Sequence, residues 1–211
     1  MKPGKLVFVE GPRNVGKSFM IEEIKDMHLK NIVFPKFDFT GIHDFILKNN
    51  NLIGENSPKD RKAILGVSFG KDLQTLQFLK EKIFEDKIII MDRGFLSSAV
   101  YGILFNRFSE EEAIQYLEYI QNRFFSQEEN QAEIIYVDSQ KKNPFDRGYK
   151  DKWNNLDQTD SNFQSRIYNG IINNPLLEGI RKRIHMFNND FDEDSRMSFK
   201  KMIWRILPNE Y

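Results

Sequence analysis

Leu6-Val7-Phe8-Val9-Glu10-Gly11-Pro12-Arg13-Asn14-Val15-Gly16-Lys17-Ser18-Phe19 decides the fold. Residues 11–18 fit the pattern G-x-x-x-x-G-K-[ST], which acts as a phosphate cradle when a strand precedes it and a helix follows. Both are expected here: 6–9 is a short apolar run, and 17–29 has helical periodicity. In such a loop the backbone N–H groups and the helix N-terminus converge on phosphate oxygens. Lys17 would reach the β- and γ-phosphates and Ser18 would ligate Mg²⁺. The expected ATP contacts are therefore Gly11, Asn14, Val15, Gly16, Lys17, Ser18 and Phe19.

Outward from the loop, short β-branched runs alternate with longer periodic stretches. Strands are predicted at 6–9, 31–34, 87–91, 133–137 and 184–187, and helices at 17–29, 72–85, 109–125, 160–172 and 193–207. Ser109-Glu110-Glu111-Glu112 has the form of a capping box. Apolar runs without alternation suit a sheet covered on both faces. The expected class is α/β, a three-layer α/β/α fold around a central parallel sheet of about five strands. The chain of 211 residues is expected to form one such domain, residues 1–211. Two polar stretches, 35–60 and 139–158, fit neither element type; 139–158 is read as a closing lid.

Composition narrows the function. Lys+Arg and Asp+Glu both number 31, so no general electrostatic grip on nucleic acid is present. There is no Cys, which excludes a thiol nucleophile or thiolate metal site. No window approaches the roughly 18 apolar residues of a membrane span. The sequence predicts no membrane partner and a cytoplasmic setting.

Asp92-Arg93 closes the third predicted strand, and side chains there reach the ligand crevice of a parallel sheet. Asp92 would join Ser18 in holding Mg²⁺, and Arg93 would grip a second phosphate with its planar fork. A motor ATPase would be expected to show an acidic pair at this point. Asp38-Phe39-Thr40-Gly41 fits the D-x-x-G of GTPases, but no Asn-Lys-x-Asp motif for reading guanine occurs. Lys36, Lys71 and Arg93 are candidate cations for an acceptor phosphate, against Glu10 and Asp38 as carboxylates for an acceptor hydroxyl. The cations favour a monophosphate acceptor. Phe37, Phe69 and Tyr101 are candidates to stack on a base, though each also suits core packing, and Gln74 could bond a base edge. In the 139–158 stretch, Arg147 is the candidate for the transferring phosphate, assisted by Lys150 and Lys152.

Asp92-Arg93-Gly94-Phe95-Leu96-Ser97-Ser98-Ala99-Val100-Tyr101-Gly102 resembles the D-R-[YH]-x-x-S-x-x-A-Y-Q segment of thymidylate kinases. Phe8-Val9-Glu10-Gly11 resembles the F-x-E-G of that family, Phe34-Pro35 its F-P, and Arg147-Gly148-Tyr149-Lys150-Asp151-Lys152 its lid pattern R-G-x-x-D-R. The resemblance implies catalytic roles for Lys17, Asp92, Arg93 and Arg147. It implies substrate contacts from Glu10, Arg13, Lys36, Phe37, Phe69, Lys71, Arg93, Ser97 and Tyr101, with Mg²⁺ as cofactor, ATP as donor, a nucleoside monophosphate as acceptor and a homodimer. The sequence departs from the family on the base and sugar side. Arg13 replaces an acid, Gly94 a Tyr or His, Gly102 a Gln, and Lys71 an Arg. The catalytic frame is also shared with deoxynucleoside kinases. Two alternatives stay open: a kinase of a deoxynucleoside or of a polynucleotide 5′-hydroxyl, the only reading that involves nucleic acid, and a nucleotide-binding protein without catalysis.

Overall fold

The structure is a computed structural model that describes residues 5–27, 31–34, 70, 72–73, 76, 87–104, 108–125, 132–141 and 159–206. Five strands form one sheet: β1 Lys5–Glu10, β2 Ile32–Val33, β3 Ile88–Asp92, β4 Ala132–Asp138 and β5 Ile184–Asn188. Every pairing is parallel, and the order is β2-β3-β1-β4-β5. Among the described residues the helices are α1 Lys17–Asp26, α2 Phe95–Leu104, α3 Glu110–Ile120, α4 Thr159–Ile172, α5 Glu178–Arg181 and α6 Glu193–Ile206. A π-helical turn, Gln121–Phe125, prolongs α3, and a 3₁₀ turn, Pro175–Leu177, leads into α5. No helix among the described residues is long and apolar enough to cross a membrane.

The period of two along each strand sorts the core into two layers. Phe8, Met91, Ile134 and Tyr136 face one side, where Phe95, Leu96, Leu117 and Tyr168 of α2, α3 and α4 cover them. Val7, Val9, Ile90, Ile135, Val137 and Phe187 face the other, against Met20 and Ile24 of α1 and Phe199 and Ile203 of α6. The expected three-layer α/β/α arrangement is what forms. Glu23 of α1, nearly buried, is gripped by Arg196 at 2.6 Å and Lys200 at 2.8 Å, which ties α6 to α1.

The sheet order fixes where chemistry can occur. The chain leaves β1 toward β2 on one side, and leaves β3 across β1 toward β4 on the other. The carboxyl ends of β1 and β3 therefore open on a crevice at a change of winding direction. Glu10 and Asp92 end these two strands.

The expected elements differ in detail. β2 has only two paired residues, and α1 closes with Met27 as its C-cap, short of residue 29. Helix α2 was not expected as an element of its own, because its sequence, Phe95–Leu104, is apolar enough to hide any stripe: six of its ten residues are buried. Of the predicted 72–85 helix, Asp72, Leu73 and Leu76 are described and helical.

The Ser109 capping box is present. Its hydroxyl accepts from the Glu112 N–H at 3.1 Å, and the Glu112 carboxylate accepts from the Ser109 N–H at 2.8 Å. Ser109→Ala should cost about 1 kcal/mol of stability, read as a lower urea midpoint with an unchanged slope.

Candidate active site

The phosphate loop owes its shape to two glycines and an asparagine in the left-handed region: Gly11 at φ 137°, Asn14 at φ 60° and Gly16 at φ 85°. A Cβ on Gly11 would stand 2.0 Å from the Val137 carbonyl oxygen, so no side chain fits between the loop and β4. Gly16 is the N-cap of α1, and Lys17 and Ser18 begin the helix.

Lys17 is buried and turns its ammonium back into the loop, donating to the Pro12 carbonyl. Burial, followed by the charge of Arg93, pushes its pKa well below the ordinary lysine value; Asp92 and Glu10 oppose the shift and Arg13 adds to it. Asp92 and Glu10 compensate an ammonium so placed only in part, and a bound phosphate would add to that compensation. Ser18 and Asp92 lie at the mouth, with the hydroxyl 3.4 Å from Asp92 Oδ2. Two hard oxygen donors, both on exposed residues, suit Mg²⁺, which takes one or two protein ligands and completes its shell with phosphate oxygens and water. No cluster of three or more carboxylate or imidazole ligands occurs among the described residues, and this metal needs none.

Arg93 adopts φ 69°, a conformation uncommon for a residue with a side chain. Its N–H donates to the Val9 carbonyl at 2.9 Å. The side chain folds toward the loop, where Nη1 donates to the Gly11 carbonyl at 3.0 Å and to Ser97 Oγ at 3.3 Å. The guanidinium carbon lies 5.2 Å from the centre of the Tyr101 ring. Arg93 therefore stands beside the Lys17 pocket, and Tyr101 has its face toward Arg93.

Behind Arg93 lies a fully buried polar cluster. Glu10 accepts a hydrogen bond from Ser97 Oγ through Oε2, and Ser97 Oγ is 2.7 Å from the Tyr168 hydroxyl. Glu10 Oε1 has no hydrogen-bond partner among the described residues. Burial pushes the Glu10 pKa above the ordinary carboxylate value, against the Ser97 hydrogen bond and the charges of Arg93 and Lys17. Gly94 is small because a Cβ there would meet the Phe8 ring at 2.5 Å and Glu10 Oε1 at 3.2 Å. Gly102 is crowded by the Phe108 ring, 2.1 Å from a built Cβ.

The structure thus brings together Glu10, Gly11, Lys17, Ser18, Asp92, Arg93, Ser97 and Tyr101. Arg13 is half-buried, and its backbone N–H donates to Gln164 Oε1 at 3.0 Å. Phe19 is 43% exposed, with Arg196 5.3 Å from its ring centre. Lys36, Phe37, Phe69, Lys71, Gln74, Arg147, Lys150 and Lys152 lie outside the described residues, as does most of the expected lid. Sequence reasoning missed Gln164 and Tyr168 of α4, Tyr116 of α3 and Asn189 after β5. Gln164 and Tyr168 are four apart and so share a helix face, and that spacing was the available signal. The Tyr116 hydroxyl donates to buried Asp72 at 2.6 Å, joining two elements far apart in sequence.

Because the Glu10 pKa is raised by folding, its protonated form is the better buried. The associated stability is present below the unfolded value, near 4.5, and is lost as pH rises through the folded value. Glu10→Gln should therefore gain stability over the wild type at neutral pH and little at pH values below 4.5, measured by denaturant titration in the two conditions. An equal effect at both would show that folding does not raise the pKa of this carboxyl group.

No family model matches the chain, and no curated protein matches it. Solved structures do match. A thymidylate kinase from Candida albicans aligns at 14% identity with a TM-score of 0.55, covering 96% of this chain and 92% of its own. A NadR protein solved in complex with NR aligns at 13% identity with a TM-score of 0.53; 99% of this chain is covered, yet it spans only 54% of that protein's length. At such identities the likeness shows the fold alone, and that fold is the parallel α/β/α architecture of P-loop kinases.

Proposed function

We propose that the chain transfers the terminal phosphoryl group of ATP to a (deoxy)nucleoside monophosphate, in the manner of a thymidylate kinase. The observation that carries this reading is the pairing of two cations on one loop: the Lys17 ammonium lies inside it, and the Arg93 guanidinium is fixed to its first carbonyl. Two anions meeting there would have their mutual repulsion offset by groups already in place.

The chemistry asks for little covalent help. A monophosphate has a second pKa near ~6, so at neutral pH its oxygen is already a nucleophile, and what it needs is alignment and charge stabilisation. The loop N–H groups and Lys17 would hold the donor phosphates. Arg93, with Lys36 and Lys71, would hold the acceptor phosphate in line. Ser18 and Asp92 would hold Mg²⁺, which when bound neutralises charge on the donor oxygens. Arg147, Lys150 and Lys152 would close over the reacting centre and exclude water. Tyr101, packed against Arg93, would limit the guanidinium to one orientation.

One observation favours a second reading. Glu10 presents an oxygen without a hydrogen-bond partner among the described residues, and a buried carboxylate with a raised pKa can act as a general base. That would suit a 5′-hydroxyl acceptor, a deoxynucleoside or a polynucleotide end.

ADP release from Mg-ATP, followed across nucleosides, monophosphates and 5′-hydroxyl oligonucleotides, separates these readings. Turnover with monophosphates alone is expected; turnover with hydroxyl acceptors alone would transfer the role to Glu10, and ATP binding without turnover would leave a non-catalytic protein. Arg93→Ala should lower kcat/KM for the acceptor by roughly 10²–10³-fold, with a smaller change in ATP affinity. Arg147→Ala should lower turnover with a modest effect on ATP affinity, and unchanged turnover would remove Arg147 from the lid role.

A further inference from the structure

The four residues that follow β5, Asn189, Asp190, Phe191 and Asp192, turn back against the phosphate loop. Asn189 is wholly buried although polar, and burial of an amide is tolerated only where its hydrogen bonds are made. Here they are. Its Nδ2 donates to the Val15 carbonyl at 2.8 Å, its Oδ1 accepts from the Phe191 N–H at 3.0 Å, and its own N–H donates to the Asp138 carbonyl at 2.8 Å. Phe191 adopts φ 60°, a costly conformation for an aromatic residue. The contact is close: a Cβ on Gly16 would stand 2.4 Å from Asn189 Nδ2 and 3.1 Å from the Phe191 ring.

The peptide between Val15 and Gly16 is planar and trans, so its C=O and N–H point in opposite directions. Holding the Val15 carbonyl outward, onto Asn189, turns the Gly16 N–H the other way, into the concavity of the loop. Asn189 thereby fixes the direction of a phosphate-binding donor without touching the phosphate. We propose that Asn189 is a positioning residue for the phosphate loop, holding the Val15–Gly16 peptide in the orientation that receives phosphate. The inference rests on the phosphate-donor reading above. Lys141, which follows β4, reaches Asp190 at 3.3 Å and Asp192 at 3.8 Å, so the same turn is also anchored to the segment after β4.

Asn189→Ser tests this. A serine hydroxyl can still accept from the Phe191 N–H and keep the turn, as Ser/Thr turns do, but it is too short to reach Val15. The full-length variant should bind Mg-ATP and inorganic tripolyphosphate about tenfold more weakly, the loss of one hydrogen bond of ordinary strength. Amide hydrogen exchange should speed up at residues 13–18 and stay as in the wild type in β4 and α3. Asn189→Ala, which also loses the turn, should bind at least as weakly. Unchanged affinity in both variants overturns the proposal whatever their melting temperatures, and so does a loss of binding that merely tracks a loss of folded protein by circular dichroism. If the wild type binds neither probe, the phosphate-donor reading itself fails, and exchange at residues 13–18 still reports whether Asn189 holds the loop.

Discussion

Two cations, Lys17 and Arg93, are kept side by side at the carboxyl edge of the sheet, and much of the surrounding structure serves to keep them there. Taking a charge out of water costs several kcal/mol, and after burial the charge of Arg93 is the next cause lowering the Lys17 pKa. Lys17 is compensated by the Pro12 carbonyl, Arg93 by the Gly11 carbonyl, and both by the field of Glu10 and Asp92. None of these partners matches the charge density of a phosphate. An incoming anion would replace weak neutral acceptors with strong ionic ones while the donors stay where they are, which is the condition for electrostatic preorganisation.

The backbone bears part of this cost. Asn14, Asn31, Arg93 and Phe191 are the side-chain-bearing residues with left-handed φ among those described. Three of the four lie in or against the phosphate site. Asn14 is within the loop, Arg93 turns the guanidinium back from β3, and Phe191 closes the turn that presses on Gly16. Strained conformations persist where neighbouring structure over-determines them. Here that structure is the central strand β1, flanked on both sides by paired strands, together with the two apolar layers on its faces.

The layered fold was legible because it depends on local signals. Short, continuous β-branched runs such as Ile88–Ile90 read as strands buried on both faces, and the capping box at Ser109 announces its helix in four residues. The turn of residues 11–16 was legible because the glycines that permit it also advertise it. Helix α2 was not, since a helix buried over most of its surface has no polar face to give a period. The support around Glu10 was not legible either. Ser97, Tyr168 and Gln164 meet the loop from α2 and α4, and Asn189 meets it from beyond β5, all through contacts that span tens of residues or more. No local spacing encodes a hydrogen bond between residues 15 and 189.

Two of the departures from the thymidylate kinase pattern, Gly94 and Gly102, have a common physical form. At Gly94 the space a side chain would take is held by Phe8 and Glu10, and at Gly102 it is held by Phe108. Neither glycine leaves a void: the volume a side chain would take is already filled, largely by the protein's own aromatic rings, and a larger residue at either position would need a neighbour to move. Backbone direction, set by glycines and left-handed residues, shapes the turn of residues 11–16, whereas side-chain volume shapes the surroundings of Gly94 and Gly102. The likeness to that family's pattern therefore holds where the sequence specifies a turn and lapses where it specifies packing.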